Sequence, residues 1–423
     1  METDVVGVTD HDEHVHPARV YSEDGQTSRV RRIPVRARGE SAPNSPTSLI
    51  ATVSAGDILA AQARLRRYLP VTPLHYAERF GCWLKLENLQ RTGSYKVRGA
   101  LNALLAARER GDDRPVIAAS AGNHAQGLAW AAYRLNVQAI AVMPHTAPKT
   151  KIAGVAHWGA TVRLHGDSFD EARAFAMELA ERNGYRFLSA FDDPDVIAGQ
   201  GTVGMEVASL APDVMIVPIG GGGLAAGVAL ALKSQGVRII GAQVEHVDAM
   251  AQALRGNVDG ISPAATLADG VRVKQAGLLT RDILGSLLDD IVIVREAELR
   301  ETLVRLALEE HIIAEGAGAL ALAAGRRVVG KRKCAVVSGG NIDANVLAGL
   351  LADVRMSPPR KPRRRAKEAT AVAAPQAPNS EVAATAPPAV SNPPRLVASG
   401  HGRRKSSTSV NANVPFRHPE ECV

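Results

Sequence analysis

The stretch Lys85 to Ala100 reads K-L-E-N-L-Q-R-T-G-S-Y-K-V-R-G-A, and its interpretation decides the fold. The apolar alternating run Cys82 to Leu86 leads into it and predicts a strand. Thr92, Gly93 and Ser94 break that strand, and Tyr95 to Arg108 has the pattern of a helix. Lys96 therefore stands where a strand gives way to a helix, between Tyr95 and Val97. An amine partly desolvated by such neighbours has a lowered pKa and is available as a neutral nucleophile near neutral pH. Schiff-base chemistry requires such an amine. The plain alternative is a solvated loop lysine, and the local sequence by itself does not separate the two.

The chain has 423 residues, 46% apolar and 22% charged, which is ordinary for a globular protein and enough for two domains with a large core. No apolar run approaches the roughly 18–20 residues that a membrane helix needs. The N-terminus carries Glu2, Asp4 and Asp10 in place of a basic and apolar leader. A cytoplasmic protein with no membrane partner is expected. Cys82, Cys334 and Cys422 show no CxxC spacing and cannot build a disulfide framework; the first two lie in apolar runs and read as buried thiols. The net charge is +7, but Arg355 to Val423 holds 12 Lys/Arg and 4 Asp/Glu, a net of +8, which leaves the other 354 residues at −1. The basicity belongs to the tail.

Residues 1–47 lack sustained periodicity and are rich in charge, serine and proline, which predicts disorder. The cluster His11 to His16 in that segment has no fixed geometry with which to hold a metal ion, so no metal site is assigned. Order begins near Ser54, where Ser54 and Asp57 form a capping-box-like start to a helix with Ile58, Ala61 and Leu65 on its apolar face. Buried strands are predicted at Val116 to Ala119, Ala139 to Met143, Thr161 to Leu164, Val214 to Ile219, Ile239 to Gln243, Ile291 to Val294 and Cys334 to Val337. Helices are predicted between them at Asn123 to Leu135, Ser168 to Arg182 and Glu296 to His311. This alternation is that of an α/β fold with parallel-rich sheets flanked by helices. After Val354 the tail holds 11 of the 24 prolines and the cluster Arg360, Lys361, Arg363, Arg364, Arg365 and Lys367, and it should not fold by itself. A solvated tail is the favoured reading over an arm that contacts nucleic acid or another anionic surface.

Three further motifs follow strands. Ser120-Ala121-Gly122-Asn123-His124 turns from strand into helix, where backbone N–H groups and the helix N-terminus make an anion site suited to a substrate carboxylate. A simple helix start capped by asparagine is the alternative. Gly220, Gly221, Gly222 and Gly223 again separate a strand from a helix and can fold into a nest of N–H groups for a phosphate, or serve only as a flexible turn. The pattern is not the dinucleotide fingerprint, since no acidic residue ends the next strand. Ser338-Gly339-Gly340-Asn341 follows the strand Cys334 to Val337.

Together, in this order, these pieces resemble the fold type II pyridoxal-phosphate enzymes, closest to the threonine ammonia-lyase (threonine dehydratase) and serine dehydratase branch. Tyr95 stands where that family usually has phenylalanine. Phe191 to Thr202 and Thr266 to Lys274 match the branch as well, and Glu315 matches an acidic position near its active site. The resemblance implies pyridoxal 5′-phosphate as cofactor and Lys96 as its Schiff-base partner and catalytic base. It implies Gly220 to Gly223 on the phosphate, Asn123 on the phenolic oxygen and Ser338 on the pyridine nitrogen, with Ser120, Ala121, Gly122 and His124 at the substrate carboxylate. It also implies a large domain of residues 48–90 and 186–354, a small domain of residues 91–185, and a homo-oligomer, dimer or tetramer.

The expected reaction is conversion of L-threonine to 2-oxobutanoate and ammonia, with L-serine giving pyruvate. Cysteine synthases, cystathionine synthases and threonine synthases differ at Lys96-Val97-Arg98, where they carry an aspartate after the lysine. Serine racemases place a hydroxyl where this chain has Ala121, which cannot transfer a proton. Their divalent-metal site would use Glu245, but Ala251 stands at the second acidic position, so no strong metal dependence is expected. The biosynthetic branch carries an isoleucine-sensing domain, and the disordered character expected after Val354 argues against one here. A non-catalytic scaffold using its tail for interactions is the competing class, and retention of Lys96, Asn123, the glycines and Ser338 weighs against it.

Overall fold

Residues 32–34 and 53–353 are described by the computed structural model of the protein. The histidine cluster, the basic tail, Cys422 and any domain after the core lie outside the described residues. Capping decides where several helices begin. Ser54 Oγ accepts from the Asp57 amide at 3.2 Å while the Asp57 carboxylate accepts from the Ser54 amide at 2.8 Å, and this reciprocal box opens α1 (Ala55–Leu65) with Ile58, Ala61 and Leu65 buried. The same box, made by Ser168 and Glu171, opens α5 (Phe169–Asn183), which ends at Gly184 with φ 66°. The helices between are α2 (Lys96–Glu109), α3 (Asn123–Leu135) and α4 (Lys149–Ala156). Those that follow are α6 (Pro194–Val207), α7 (Gly223–Leu232), α8 (Ala249–Leu254), α9 (Leu278–Leu287), α10 (Glu296–Glu309), α11 (Gly316–Gly325) and α12 (Ala344–Ala352).

Among the described residues the strands form two sheets. The larger has the order β1 (Arg32–Pro34), β10 (Asp290–Val294), β9 (Arg238–Val244), β8 (Val214–Pro218), β11 (Lys333–Val337), β3 (Cys82–Leu86), β2 (Leu74–Ala77). Its interior pairs are parallel and its two outermost pairs antiparallel. The smaller is wholly parallel, in the order β6 (Thr161–Leu164), β5 (Ala139–Met143), β4 (Val116–Ala119), β7 (Arg186–Phe187). Strands β8 and β11 are apolar and almost entirely buried, as parallel strands covered on both faces must be. Helices α7 and α11, built of Gly, Ala, Leu and Val, are buried nearly all round because they pack between the sheet and outer helices.

Two sequence expectations need correction. Thr161 to Leu164 forms a strand but not a buried one: β6 lies at a sheet edge with one neighbour, so Thr161, Arg163 and Leu164 are exposed. Within the segment read as disordered, Arg32–Pro34 pairs antiparallel with β10 and closes that side of the larger sheet. Three residues are too short for periodicity to register, and a terminal proline is tolerated where a strand has no second neighbour.

Candidate active site

Every motif falls at the carboxyl end of a parallel strand, the position at which open α/β sheets bind ligands. Strand β3 feeds the turn and α2 that carry Lys96, β4 feeds Ser120 to His124, β8 feeds Gly220 to Gly223, and β11 feeds Ser338. Since β8, β11 and β3 are adjacent in the larger sheet, three of the four motifs emerge side by side. Backbone bonds lock two of them together: the Tyr95 amide donates to the Ser338 carbonyl at 3.1 Å and the Gly340 amide to the Gly93 carbonyl at 2.8 Å. All eleven residues singled out from the sequence line one cavity of about 290 Å³. An adjoining cavity of about 710 Å³ shares Lys151, Asp269 and Glu315 with it but contains neither Lys96 nor the glycines.

Lys96 is partly buried in the cavity wall, and its Nζ donates to the Ala190 carbonyl at 2.8 Å. Burial pushes the ammonium pKa down to about 8, against the pull of the Glu315 carboxylate, so a neutral amine is accessible near physiological pH. Across the cavity, α3 begins at Asn123 with no side-chain cap, which leaves first-turn amides free to meet an anion. The Gly122 amide is held by Ser120 Oγ at 3.2 Å. The resemblance names His124 at the substrate carboxylate, and the structure distinguishes its ring from its backbone. Its Nε2 lies 3.3 Å from the Leu188 carbonyl, to which it can only donate, and burial with Lys96 nearby pushes its pKa down to about 3. The neutral ring keeps Nδ1 as an unpartnered acceptor, so the backbone N–H of His124, not its ring, is the group able to hold a carboxylate.

The glycine loop is closely packed. Gly222 has φ 103°, in the left-handed region that a side chain avoids, and a Cβ on Gly221 would stand 2.3 Å from Phe191 Cγ. The Gly221 carbonyl accepts from Thr280 Oγ1 at 2.6 Å and from the Gly277 amide at 3.2 Å, and α7 starts with no side-chain cap. Ser338 is buried, and its hydroxyl donates to the Ala317 carbonyl at 3.1 Å, so it must rotate to donate to a ligand.

Glu315 belongs to this site and is more than a helix-start carboxylate. It is 6% exposed, accepts from Asn123 Nδ2 at 2.6 Å, and burial together with the Asp269 carboxylate pushes its pKa up to about 7. Asn341, given no role in the sequence reading, donates from Nδ2 to Asn123 Oδ1 and to the Thr92 carbonyl, both at 2.8 Å. The Asn123 amide is thereby held in one orientation. The signal for Asn341 was its place in the Ser338 to Asn341 motif. Lys151 on α4 pairs with Asp269 at 2.6 Å along the cavity wall. Glu245 accepts from the Glu296 amide at 3.2 Å and Ala251 is buried in α8; among the described residues no group of three or more His, Cys, Asp or Glu is arranged to hold a metal ion.

The sequence profile described as "Pyridoxal-phosphate dependent enzyme" matches residues 65–340. The chain belongs to this pyridoxal-phosphate dependent enzyme family. It is 43% identical over 305 residues to the L-threonine ammonia-lyase of Thermotoga maritima, a match covering 69% of this chain and 76% of that one. It is 42% identical over 308 residues to the catabolic L-threonine dehydratase TdcB of Escherichia coli K12, covering 69% and 94%. Among solved structures, maize serine racemase superposes with a TM-score of 0.66 at 29% identity, covering 71% of this chain and 97% of that one. The fold is that of the fold type II pyridoxal-phosphate enzymes, and the protein uses pyridoxal 5′-phosphate. The cavity fits the cofactor: a glycine cradle that a single Cβ would fill, an accessible amine on Lys96, the buried hydroxyl of Ser338 and the amide of Asn123 are what a phosphorylated pyridine aldehyde needs.

Proposed function

We propose that the protein is a pyridoxal-phosphate-dependent threonine ammonia-lyase that converts L-threonine to 2-oxobutanoate and ammonia, and L-serine to pyruvate and ammonia. The observation that carries this reading is the convergence in one cavity of the Lys96 amine, the Gly220 to Gly223 nest and the uncapped N-terminus of α3. Relatives above 40% identity with threonine lyase names support it. In this reading Gly220 to Gly223 hold the cofactor phosphate, Ser338 meets the ring nitrogen, and Asn123 meets the phenolic oxygen through an amide oriented by Glu315 and Asn341. Bound pyridoxal phosphate would draw electron density from Cα of the substrate and acidify its proton. The backbone amides at Ser120 to His124 hold the carboxylate, and Ala121 presents no group able to exchange a proton. Lys96 Nζ takes the α-proton, and its lowered pKa lets it act as a base near neutrality. Loss of the β-hydroxyl as water, followed by uptake of water at the α-carbon, balances to the oxo acid and ammonia.

The division into a large domain (48–90 and 186–354) and a small one (91–185) belongs to the same proposal. The two sheets support it, with β7 carrying the smaller unit on to Phe187. A homo-oligomeric state and a cytoplasmic location are part of the same proposal. Among the described residues no helix is long and apolar enough to cross a membrane.

The test is to load the full chain with pyridoxal phosphate, record the visible absorbance, and assay 2-oxo acids from L-threonine and L-serine together with the chirality of residual serine. A visible band with 2-oxobutanoate formation, both lost in Lys96→Ala, is the expected result. D-Serine as the main product would move the protein to the racemases. No oxo acid from either substrate would overturn the proposal.

A further inference from the structure

The stretch that decides the fold carries charges which the reaction does not use. Lys85, Glu87 and Arg98 are all but fully buried, and Glu206 on α6 joins them with 9% of its side chain exposed. Buried charges are costly unless paired, and these four are paired completely. Arg98 sits at the centre. Its Nε and Nη2 donate to Glu87 at 2.7 and 2.8 Å, and Nη1 and Nη2 donate to Glu206 at 2.7 and 2.9 Å. Nη1 also reaches Thr202 Oγ1 at 3.2 Å, so all five guanidinium N–H groups have partners. Lys85 Nζ pairs with Glu206 at 2.5 Å and donates to the Thr72 carbonyl at 2.7 Å, and Thr72 Oγ1 donates to Glu87 at 2.5 Å.

The placement of this network gives it a consequence for Lys96. Arg98 follows Lys96 by two residues on α2, about 200° around the helix, so the two side chains leave opposite faces. Lys96 lines the cavity, while Arg98 runs behind it to the end of β3, the turn at Glu87 and the flank of α6. The front of the same turn is tied to Ser338 by the Tyr95 amide. Apolar side chains of similar volume could fill the space behind α2 with equal or better stability. Only a planar, five-donor fork fixes the rotation and depth of the helix as well.

We propose that Lys85, Glu87, Arg98 and Glu206 form a positioning device that sets the first turn of α2 and, through it, where Lys96 Nζ stands in the cavity, with Arg98 as its centre. This rests on the reading of Lys96 as the reactive amine. A misplacement of about 1 Å at a reacting group costs on the order of 10²-fold in rate, so the effect falls on turnover.

The experiment uses the full chain saturated with pyridoxal phosphate and compares wild type with Arg98→Met, Arg98→Lys and Glu206→Gln. For each protein kcat and KM for L-threonine, the circular dichroism of the bound cofactor's visible band, and the thermal unfolding midpoint are measured. Arg98→Met should lower kcat about 10²-fold with KM changed less than about threefold and should alter the visible dichroism; the midpoint should fall as well, because Glu87 is left buried without its partner, so kcat is measured well below that midpoint. Arg98→Lys should not restore kcat, because an ammonium cannot make the fork. If Arg98→Met does not fold, Glu206→Gln carries the test, and a loss of about tenfold in kcat with altered dichroism is expected. Unchanged kcat and dichroism in a folded variant would overturn the proposal, as would activity that falls only in step with the unfolding midpoint. A wild type that binds cofactor but does not turn over threonine would sink the lyase reading, and the dichroism would still decide this one.

Discussion

Substituting Gly221 by alanine should weaken cofactor binding through a packing conflict whose size follows from the loop geometry. The added Cβ would lie 2.3 Å from Phe191 Cγ and 2.4 Å from both Cδ atoms, whereas ordinary contact begins at 3.4 Å, so about 1 Å of movement is required. The loop cannot supply it, since the Gly221 carbonyl is held by Thr280 Oγ1 and by the Gly277 amide. Nor can the Phe191 backbone, which packs so closely on Gly223 that a Cβ there would stand 2.9 Å from Phe191 Cα. The strain falls on the ring and on the amides beside it. Overpacking of this kind costs about 1–3 kcal/mol. Where the strained amides are those that hold the phosphate, this is about a 5- to 150-fold rise in the dissociation constant. Titration of the apo-protein with pyridoxal phosphate, followed by visible absorbance, measures it. Gly349→Ala in α12 is the control. Its Cβ meets nothing within 4 Å, so affinity should be unchanged and stability should rise by up to about 1 kcal/mol from helix propensity. A Gly221→Ala protein with wild-type affinity and unfolding midpoint would refute the packing argument.

Two pH predictions follow from groups inside the cavity. Only the neutral Lys96 amine attacks the cofactor aldehyde. With its pKa pushed down to about 8, the rate of cofactor capture by the apo-protein should rise about tenfold per pH unit below that value and level off above it; stopped-flow absorbance showing a midpoint near the ordinary 10.5 would contradict this. Burial raises Glu315 from 4.5 to about 7, so between those values the folded protein holds a proton that the unfolded chain has released. Its contribution to stability is full below the unfolded pKa and is lost as pH rises through the folded one. The stability of wild-type apo-protein relative to Glu315→Gln should therefore fall by about 3 kcal/mol across that window in urea titrations. A difference that stays constant with pH would show that Glu315 is not held protonated.

How much of this was legible in the sequence depends on the range over which each signal acts. Strand, turn and helix around Lys96 were readable because periodicity and turn chemistry are local, and the glycine loop and the Ser120 to His124 turn because each follows an apolar strand within a few residues. That they share one cavity depends on β11 entering the sheet between β8 and β3, a pairing of segments more than a hundred residues apart that no local pattern encodes; the family resemblance carried that information instead. Where resemblance assigned roles, it did so by residue and not by atom. The resemblance named His124 at the carboxylate without saying which of its groups serves there, and only burial and the Leu188 carbonyl show the ring to be neutral and held away from that role. Thr161 to Leu164 looked buried because an apolar alternation is the same in a central strand and at an edge. Glu206 shows the limit most plainly. In the helix sequence G-M-E-V-A it reads as a solvent-facing carboxylate, and only the arrival of Lys85 and Arg98 from more than a hundred residues earlier makes its burial affordable. Lys85 and Arg98 are equally opaque alone, since Lys and Arg are among the residues least often fully buried. A buried charge network is a joint property of distant positions, so a single sequence shows its members and hides their pairing.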